Sequence, residues 1–469
     1  MAKSYDLLII GAGPGGYTAA IRAAKEGLKT GVIEKEKLGG TCLNRGCIST
    51  KALLHASSMF SMMQKCDEFG VSADSIAFDF KKMQQYKKNA VRDYRNEIHG
   101  TFEKLGIDLI YGTATIRRGK TVEVKSDKGK DFYQAKHIII ATGAVPRPLS
   151  IPGADLDGVW YSDRILKEDK WKFDRLTIIG GGVIGVEMAT IFNALCAKVY
   201  LVERAPHLLG PMDQEVSEAL KEELTRRGIR VYCGANIHKI TKEEGLICHI
   251  SKDGEEILLR SGCVLVAVGR QPYTDGLFGE DVNFQMKDGK LEVDSEFMTS
   301  EPEVYAVGDV TADIQLAHVA AAQATYVVEK IAKKVHTIRL SVVPNGMYAK
   351  LPVVPNCIYT EPEIATVGLT EEAALACGMK VRCGKYSMGE NGRSIISREE
   401  GGFIRLIFEA YSNNLVGAQI VCPRATDMIS EMATAVAAGL NAGQLMMAMR
   451  AHPTYSEGIA GAIEDAMRS

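Results

Sequence analysis

The chain has 469 residues, and at about 150 residues per domain this length favours roughly three domains. Apolar residues make up 46% and charged residues 24%, a globular composition that excludes a disordered chain, a collagen and a coiled coil. Lys and Arg number 56 and Asp and Glu 58, and the resulting net charge of −2 disfavours a nucleic-acid-binding protein, which usually carries a basic excess. Glycine is frequent, at 46 residues, which predicts close backbone approaches of the kind found at nucleotide phosphates.

Two segments bear on export and membranes. The four apolar residues at positions 7–10 are too few for the core of a signal peptide. Residues 432–449 carry no charge but include Thr434, Asn441 and Gln444, so they predict buried helices at a core or a subunit interface rather than a membrane span. We therefore expect no membrane insertion and a cytoplasmic location.

A glycine-rich segment follows the first apolar strand pattern. Residues 5–10 predict a buried strand, and Gly11, Gly13 and Gly16 then lead into a helical pattern rich in alanine. The next strand pattern ends at Glu34. In dinucleotide-binding folds such glycines let the backbone approach a pyrophosphate at a helix N-terminus, and the acid accepts hydrogen bonds from the adenosine ribose.

The same signals recur later in the chain. Another strand pattern leads into Gly180, Gly182 and Gly185, a helix is expected from Val186, and the following strand pattern ends at Glu203. The first glycine and the acid of this copy each lie 169 residues after those of the first copy. One such motif arises easily by chance in a glycine-rich chain, but its repetition at one spacing predicts two bound dinucleotides.

Three further apolar patterns end in glycine or in glycine followed by an acid, at residues 138–143, 264–269 and 304–309. Such strands fit the centre of a parallel sheet, whose ligands lie beyond the carboxyl ends of the strands. After about residue 345 strands such as 403–408 alternate with helices rich in Ala and Met, which predicts a last domain of another kind.

Two of the eleven cysteines stand apart from the rest. The other nine are scattered without a zinc-binding pattern, so we expect no metal site. Cys42 and Cys47 lie five apart, a spacing that chance alone can give, but two glycines and Thr41 come just before them and Lys51 follows in a predicted helix. A helix N-terminus and a nearby cation stabilise a thiolate, so the thiol pKa should fall below the free value of about 8.5. These surroundings favour a redox pair over a buried, unreactive one.

The stretch from Gly39 to Lys51, the motif from Ala451 to Glu457 and the two glycine motifs resemble the pyridine nucleotide–disulfide oxidoreductases, flavoproteins with a redox pair of this spacing. The resemblance covers the whole chain. It implies an α/β fold with two Rossmann-like dinucleotide-binding domains, for FAD and for NAD, and a C-terminal α+β interface domain for dimerisation. The implied boundaries are 1–146 for FAD binding, 147–272 for NAD binding, 273–344 for a central segment that completes the FAD site, and 345–469 for the interface domain.

The resemblance assigns cofactor contacts to residues of these motifs. For FAD it implies Gly11, Gly13, Gly16, Glu34, Gly40, Thr41, Lys51, Thr142, Gly143, Asp309 and Ala317. For NAD it implies Gly180, Gly182, Gly185, Glu187, Glu203, Gly269 and Arg270, with Glu187 near Lys51 where the flavin and the nicotinamide meet.

The resemblance also assigns the reacting residues. Cys42 would be the interchange thiol that meets the substrate, and Cys47 the thiol beside the flavin. His452 would take the proton of a substrate thiol while Glu457 orients its ring; a lone histidine is more often structural, and the surrounding His-Pro-Thr-x-x-Glu motif favours catalysis here. His452 lies 405 residues from Cys47, and the resemblance places it at the disulfide of the partner chain in a homodimer. We expect His318 to pack beside the flavin without a catalytic role.

Three residues depart from the pattern of the family. Ser49 stands where proline is usual, which should loosen the turn after Cys47. Arg450 replaces a common histidine and could alter how His452 is approached, and Gln323 stands where an acid is frequent. None of the three removes a reacting group.

Within the family the chain is most similar to members that oxidise protein-bound dihydrolipoamide and pass a hydride to NAD⁺. The expected partner is the lipoylated domain of a 2-oxo acid dehydrogenase complex or of the glycine cleavage system. The alternative is another disulfide reductase of the same fold, such as one that reduces glutathione disulfide with NADPH, although Glu203 should repel a 2′-phosphate. A flavin-binding protein without enzymatic activity would explain the glycines but would leave Cys42, Cys47 and His452 without a role.

Overall fold

The computed structural model describes residues 3–169, 173–210, 212–311, 314–335 and 353–468, so the predicted boundary between 344 and 345 lies outside the described residues. The strands are β1 (Lys3–Ile10), β2 (Thr30–Glu34), β3 (Asp108–Tyr111), β4 (Thr113–Arg117), β5 (Thr121–Ser126), β6 (Gly129–Ile140), β7 (Ala144–Pro146), β8 (Val159–Tyr161), β9 (Arg175–Ile179), β10 (Lys198–Glu203), β11 (Arg230–Cys233), β12 (Asn236–Glu243), β13 (Gly245–Lys252), β14 (Glu255–Ser261), β15 (Cys263–Val266), β16 (Arg270–Pro272), β17 (Met286–Lys287), β18 (Lys290–Leu291), β19 (Val304–Ala306), β20 (Asn356–Ile358), β21 (Ile364–Gly368), β22 (Val381–Ser387), β23 (Phe403–Glu409) and β24 (Leu415–Val421). The helices are α1 (Pro14–Lys25), α2 (Gly40–Arg45), α3 (Cys47–Met63), α4 (Phe80–Leu105), α5 (Ser162–Ile165), α6 (Val183–Ala194), α7 (Gln214–Arg226), α8 (Ala317–Ile331), α9 (Glu371–Ala376), α10 (Gly392–Ser397), α11 (Ala425–Ala438), α12 (Ala442–Met446) and α13 (Glu457–Arg468).

The first sheet has the order β3-β2-β1-β6-β5-β4, and β19 pairs with β6. Its central strands run parallel, while β4 and β5 extend it in antiparallel fashion. Strand β1 is apolar throughout its second half because both of its faces are covered. Leu7 and Ile9 pack with α1, α4 and α8, whereas Leu8 and Ile10 pack against β4, β5 and Leu277.

The second sheet is parallel, with the order β11-β10-β9-β15-β8, and its β9-α6-β10 unit repeats β1-α1-β2. Helix α6 begins at Val183, so the predicted start at Val186 is wrong by three residues; Gly182 is the N-cap at the end of the glycine turn. Strands β12, β13 and β14 form an antiparallel meander beside this sheet.

The two Rossmann-like units are joined by the short antiparallel pair of β7 and β16. After β16 the chain returns to the first unit, where β19 adds beside β6 and α8 packs against α1. The segment after the second sheet therefore contributes to the core of the first one.

The last unit is an antiparallel sheet with the order β20-β21-β24-β23-β22, covered on one face by α11 and α13. The charge-free run 432–449 forms the end of α11 and all of α12. Met432 and Leu445 are buried in the core, but Met447 is 83% and Met449 100% exposed in the single chain. No helix of the described ranges is both long and apolar enough to cross a bilayer. The predicted α/β class with two Rossmann-like units and a last α+β unit is confirmed.

Candidate active site

The two predicted ribose-binding acids are held by the same pair of backbone groups in each Rossmann-like unit. Glu34 Oε2 accepts a hydrogen bond from Ala12 N–H (2.9 Å), and its Oε1 accepts one from Glu36 N–H (2.8 Å). In the second unit Glu203 accepts from the N–H groups of Gly181 (2.6 Å) and Ala205 (2.7 Å). The offset of 169 residues thus holds for the hydrogen bonds as well as for the motif. These two hydrogen bonds orient each carboxylate and leave lone pairs for hydroxyl donors.

The glycines of the two turns have two different roles. Gly11 has φ of +99° and Gly180 of +111°, and a Cβ on Gly11 would lie 2.4 Å from the carbonyl oxygen of Ala141. A Cβ on Gly16 would lie 1.8 Å from the carbonyl oxygen of Gly11, and Gly185 stands in the same relation to Gly180, at 1.9 Å. The first glycine therefore allows the turn, and the last allows the helix to pack against it.

One cavity of about 1490 Å³ runs through both units, more than the roughly 300–1,000 Å³ of a site for one drug-sized ligand. All but two of the predicted cofactor residues line it; Gly16 and Gly185 do not. Those on its wall are Gly11, Gly13, Glu34, Gly40, Thr41, Lys51, Thr142, Gly143, Asp309, Ala317, Gly180, Gly182, Glu187, Glu203, Gly269 and Arg270. Cys42, Cys47 and His318 lie on the same wall.

The polar groups on this wall fit two dinucleotides. Helices α1 and α6 begin at glycine N-caps that supply no side-chain cap, which leaves backbone N–H groups for phosphate oxygens. Burial raises the pKa of Asp309 despite the nearby Arg270 guanidinium. Arg270, which the resemblance assigns to NAD, donates through Nη2 to the carbonyl oxygen of Ala144 (2.5 Å) and to Thr41 Oγ1 (3.5 Å), so its guanidinium lies beside residues of the first Rossmann-like unit.

The two cysteines are carried by successive helices. Cys42 lies in α2 and Cys47 is the first residue of α3, with Gly46 between the helices. The hydrogen bond donated by the Cys42 thiol, together with Lys51, lowers the pKa of Cys47 to about 7 against the opposing effect of burial. The same hydrogen bond and burial raise the pKa of Cys42. The hydrogen bond between the two thiols and the Lys51 cation therefore both favour a thiolate within this pair.

Lys51 is paired with a carboxylate of the other nucleotide-binding unit. Lys51 Nζ lies 2.8 Å from both Oε1 and Oε2 of Glu187, whose side chain is 3% exposed. The main-chain N–H of Tyr359 also donates to Glu187 Oε1 (3.1 Å), and Lys51 Nζ lies 4.5 Å from the centre of the Tyr359 ring. Sequence reasoning missed Tyr359, because it follows a short strand of the last unit and no local motif marks it.

His452 and Glu457 meet each other but do not line the cavity of their own chain. His452 Nδ1 lies 2.8 Å from Glu457 Oε1, and Thr454 N–H donates to Glu457 Oε2 at the same distance. The Thr454 amide and then His452 lower the pKa of Glu457, which keeps it charged. The His452 side chain is 78% exposed, so its second ring nitrogen is open to another molecule.

Ser49, Arg450 and Gln323 depart from the pattern of the family. The structure corrects the expectation about Ser49 and shows the contacts of Arg450 and Gln323. The expectation that Ser49 loosens the turn is wrong, because Ser49 is fully buried in the first turn of α3 and its hydroxyl donates to the carbonyl oxygen of Leu43 (3.1 Å). Arg450 pairs with Glu431 (2.5 Å), and no contact with His452 is found among the described residues. Gln323 accepts a hydrogen bond from Gly308 N–H (2.7 Å) and so holds the turn before Asp309.

Comparison with known proteins identifies the family. A model of the pyridine nucleotide-disulphide oxidoreductases matches residues 5–324, and a model of their dimerisation domain matches residues 354–463. The chain belongs to the pyridine nucleotide-disulphide oxidoreductases. FAD and NAD, the two cofactors predicted from the sequence, are those of this family and of its dihydrolipoyl dehydrogenases.

Curated relatives match over their full length. The dihydrolipoyl dehydrogenase of Chlorobaculum tepidum is 36% identical over 100% of this chain and 98% of its own, and that of Bacillus subtilis is 35% identical over 98% and 97%. Among solved structures, the HOCl-induced flavoprotein disulfide reductase RclA from Escherichia coli superposes with a TM-score of 0.85 at 26% identity over 99% of both chains. LpdA from Mycobacterium tuberculosis shares the fold, with a TM-score of 0.87 at 24% identity over 100% and 99%.

Proposed function

We propose that the chain is a dihydrolipoyl dehydrogenase, which oxidises protein-bound dihydrolipoamide to lipoamide and reduces NAD⁺ to NADH. The observation that carries this proposal is the single cavity whose wall includes Cys42, Cys47 and the two ribose-binding acids Glu34 and Glu203. This cavity brings the cysteine pair and both predicted dinucleotide sites together, as an exchange of electrons among them requires. The full-length similarity to dihydrolipoyl dehydrogenases supports the same substrate class.

The thiols act by disulfide exchange. A thiolate of dihydrolipoamide attacks Cys42 Sγ, the Cys42–Cys47 bond breaks, and Cys47 leaves as a thiolate, which its pKa of about 7 favours. The second substrate thiolate then attacks the substrate sulfur bound to Cys42, which forms the cyclic disulfide of lipoamide and releases Cys42. Two electrons have passed from the substrate to the cysteine pair. FAD, when bound, passes such a pair on to NAD⁺.

The base of this reaction is supplied by the partner subunit of a homodimer. His452 accepts the proton of the substrate thiol, and Glu457 fixes the ring through Nδ1 so that the other nitrogen faces the substrate. Its exposure in the single chain and its place within the matched dimerisation domain support a position in the partner's active site. Each homodimer then has two composite sites.

The remaining residues bind and orient. Glu34 and Asp309 would hold FAD with the first glycine turn, and Thr41, Lys51 and Ala317 would contact its ring. Glu203 and the second glycine turn would hold NAD, with Glu187 on the side of the nicotinamide. We also propose that the domains end at residues 146, 272 and 344. The proposed partner is a lipoylated domain of a 2-oxo acid dehydrogenase complex or of the glycine cleavage system, and the proposed location is the cytoplasm.

The test is the rate of NADH formation by the holoenzyme with dihydrolipoamide and NAD⁺. A first matched assay replaces NAD⁺ with NADP⁺. A second runs the reaction in reverse, with glutathione disulfide in place of lipoamide and with NADPH as the reductant. NADH formation that depends on dihydrolipoamide supports the proposal. Turnover with glutathione disulfide and none with lipoamide would overturn it in favour of a low-molecular-weight disulfide reductase.

The relay is tested separately by Cys42→Ser and Cys47→Ser. Each variant should lose dihydrolipoamide oxidation while it retains FAD, because FAD affinity rests on the glycine turns, Glu34 and Asp309. Substantial lipoamide turnover in either variant would refute the assignment of the pair. The flavin absorbance of the purified variants provides the control for cofactor content.

A further inference from the structure

Between Cys42 and Cys47, the side chain of Asn44 forms hydrogen bonds with other residues of the protein through both ends of its amide. Asn44 lies in α2, and its Nδ2 donates to the carbonyl oxygens of Gly40 (2.8 Å) and Leu38 (3.1 Å). Its Oδ1 accepts a hydrogen bond from Arg95 Nη2 (2.5 Å). A guanidinium has only donors, so Arg95 also decides which end of the Asn44 amide faces it.

Arg95 reaches this loop from a different part of the first unit. It lies in α4, which packs against both α2 and α3, and its side chain is half-buried. Arg95 Nε is buried without a hydrogen-bond partner in the described part of the chain. The hydrogen bond from Nη2 to Asn44 therefore accounts for the half-buried position of the Arg95 side chain beside α2. A charge-assisted hydrogen bond of this kind is about twice as strong as a neutral one.

The position of α2 relative to α3 controls the distance between the two thiols. A disulfide needs its Cβ atoms about 3.5–4.5 Å apart, and a change of a few tenths of an ångström costs energy. One hydrogen bond already links the two helices, from the Ser49 hydroxyl in α3 to the carbonyl oxygen of Leu43 in α2. The hydrogen bond from Arg95 to Asn44 adds a second such link, which joins α2 to α4.

We propose that Arg95 is a positioning residue that, through Asn44, keeps Cys42 close to Cys47 in the dithiol state and so sets the redox equilibrium of the pair. The inference rests on the proposed function, because it takes Cys42 and Cys47 as the redox pair. Neither Arg95 nor Asn44 needs to touch the substrate or a cofactor for this role.

The expected direction follows from the reaction. Reduction breaks the Sγ–Sγ bond and consumes two electrons and up to two protons. Afterwards α2 is held beside α3 by the Gly46 link, by the packing of buried Leu43 and by the hydrogen bonds of Ser49 and Arg95. Without Arg95 the dithiol state gains conformational freedom that the disulfide state does not have. The equilibrium then shifts towards the dithiol, and the pair becomes easier to reduce.

The experiment compares Arg95→Gln with Arg92→Gln in the holoenzyme. Arg92 lies one turn earlier on α4, is 58% exposed and pairs only with its neighbour Asp93 among the described residues. Each protein is equilibrated with mixtures of reduced and oxidised dithiothreitol, quenched by alkylation, and analysed by mass for Cys42 and Cys47. We expect Arg95→Gln to shift the equilibrium about tenfold towards the dithiol, which is about 30 mV for two electrons, and Arg92→Gln to leave it unchanged. Arg95→Lys, which restores one charged donor, should recover part of the shift.

A double-mutant cycle tests the route through Asn44. Asn44→Ala should shift the equilibrium as Arg95→Gln does, and the combined variant should shift it no further than either change alone. If Arg95→Gln fails to retain FAD, the dithiol–disulfide equilibrium of Asn44→Ala is measured in its place. A shift of less than twofold in a flavin-containing variant, or two additive shifts, overturns the inference. Failure of the wild-type pair to form a disulfide at all would instead refute the proposed function.

Discussion

Lys51 Nζ lies 2.8 Å from both carboxylate oxygens of Glu187, and this ion pair joins the helix that begins at Cys47 to helix α6 of the second Rossmann-like unit. A carboxylate as buried as that of Glu187 is stable only with its charge balanced and its remaining lone pairs occupied. The main-chain N–H of Tyr359, from the last unit, meets the second requirement. The cation that stabilises the Cys47 thiolate is therefore held in place by residues of three units.

Replacing Lys51 with Met should raise the pKa of Cys47 and also destabilise the fold. Loss of one nearby cation should slow alkylation of Cys47 at pH 7 by up to about tenfold. Glu187 would be left buried and unpaired, and we expect a loss of about 3 kcal/mol in unfolding free energy, the lower end of the usual range because Lys51 is 29% exposed.

The measurements are the pH dependence of iodoacetamide labelling and chemical denaturation, with Lys81→Met, an exposed residue of α4, as the control. Adding Glu187→Gln to Lys51→Met should recover stability and should bring the Cys47 pKa back down only in part, because the Glu187 carboxylate raises it and the Lys51 cation is still missing. Equal stability of the single and double variants would show that the pair does not contribute to the fold.

The stability of the reduced protein should depend on pH in a window set by Cys47. Its folded pKa of about 7 lies below the unfolded value of about 9, so its contribution is present above the unfolded pKa and is lost as the pH falls through 7. Cys47 is surrounded by protein but its surface opens into the cavity, where solvent screening limits the effect to about 1 kcal/mol. The raised pKa of Cys42 acts in the opposite direction only above its own unfolded value.

Thermal unfolding between pH 6 and about 8.5 tests this expectation. The reduced holoenzyme should gain stability across the range relative to the oxidised holoenzyme, whose disulfide sulfurs do not titrate. Cys47→Ser should remove the difference. An identical pH profile for both redox states would contradict the lowered pKa.

Glu203 should determine the choice between NAD⁺ and NADP⁺. Its carboxylate is fixed by the amides of Gly181 and Ala205, so a 2′-phosphate at this place would meet a negative charge that cannot turn away. Glu203→Gln should reduce the preference for NAD⁺ over NADP⁺ in kcat/KM by about tenfold or more.

The internal repeat supplies the matched control. Glu34 makes the same two hydrogen bonds in the first unit, and Glu34→Gln should weaken FAD retention without changing the ratio of the two nicotinamide cofactors. A ratio that changes equally in both variants would mean that the effect reaches the cofactor through the fold and not through the ribose contact.

The sequence predicted those parts of the site that depend on local motifs. Gly11, Glu34 and their counterparts 169 residues later follow a strand–turn–helix pattern, so their geometry could be expected from spacing alone. The contact between Arg95 and Asn44 joins residues 51 apart, and that between Tyr359 and Glu187 joins residues 172 apart, with no local signal at either end. Ser49 was misread because a replacement for proline suggests a looser turn, whereas its hydroxyl found an acceptor in the neighbouring helix.

The last prediction concerns which chain supplies the base. In the single chain His452 is exposed and absent from the cavity wall that carries Cys47, so we expect it to act on the cysteine pair of the partner subunit. Cys47→Ser and His452→Gln homodimers should each be nearly inactive. In a mixed dimer one site has both defects, while the other combines an intact Cys47 with an intact His452. Random reassortment makes about half of the dimers mixed, so about a quarter of all sites should recover.

The two variants are dissociated together, reassembled with FAD and assayed for lipoamide-dependent NADH formation, with the fraction of mixed dimers measured by native mass spectrometry. Reassembly of Cys47→Ser with Cys42→Ser is the matched control. Each site takes both of its cysteines from one chain, and every chain in this mixture lacks one of them, so no intact site can form. If Cys47 and His452 acted within one chain, every site of the first mixture would keep one defect. Activity no higher than in the control, with mixed dimers present, would therefore exclude the shared site.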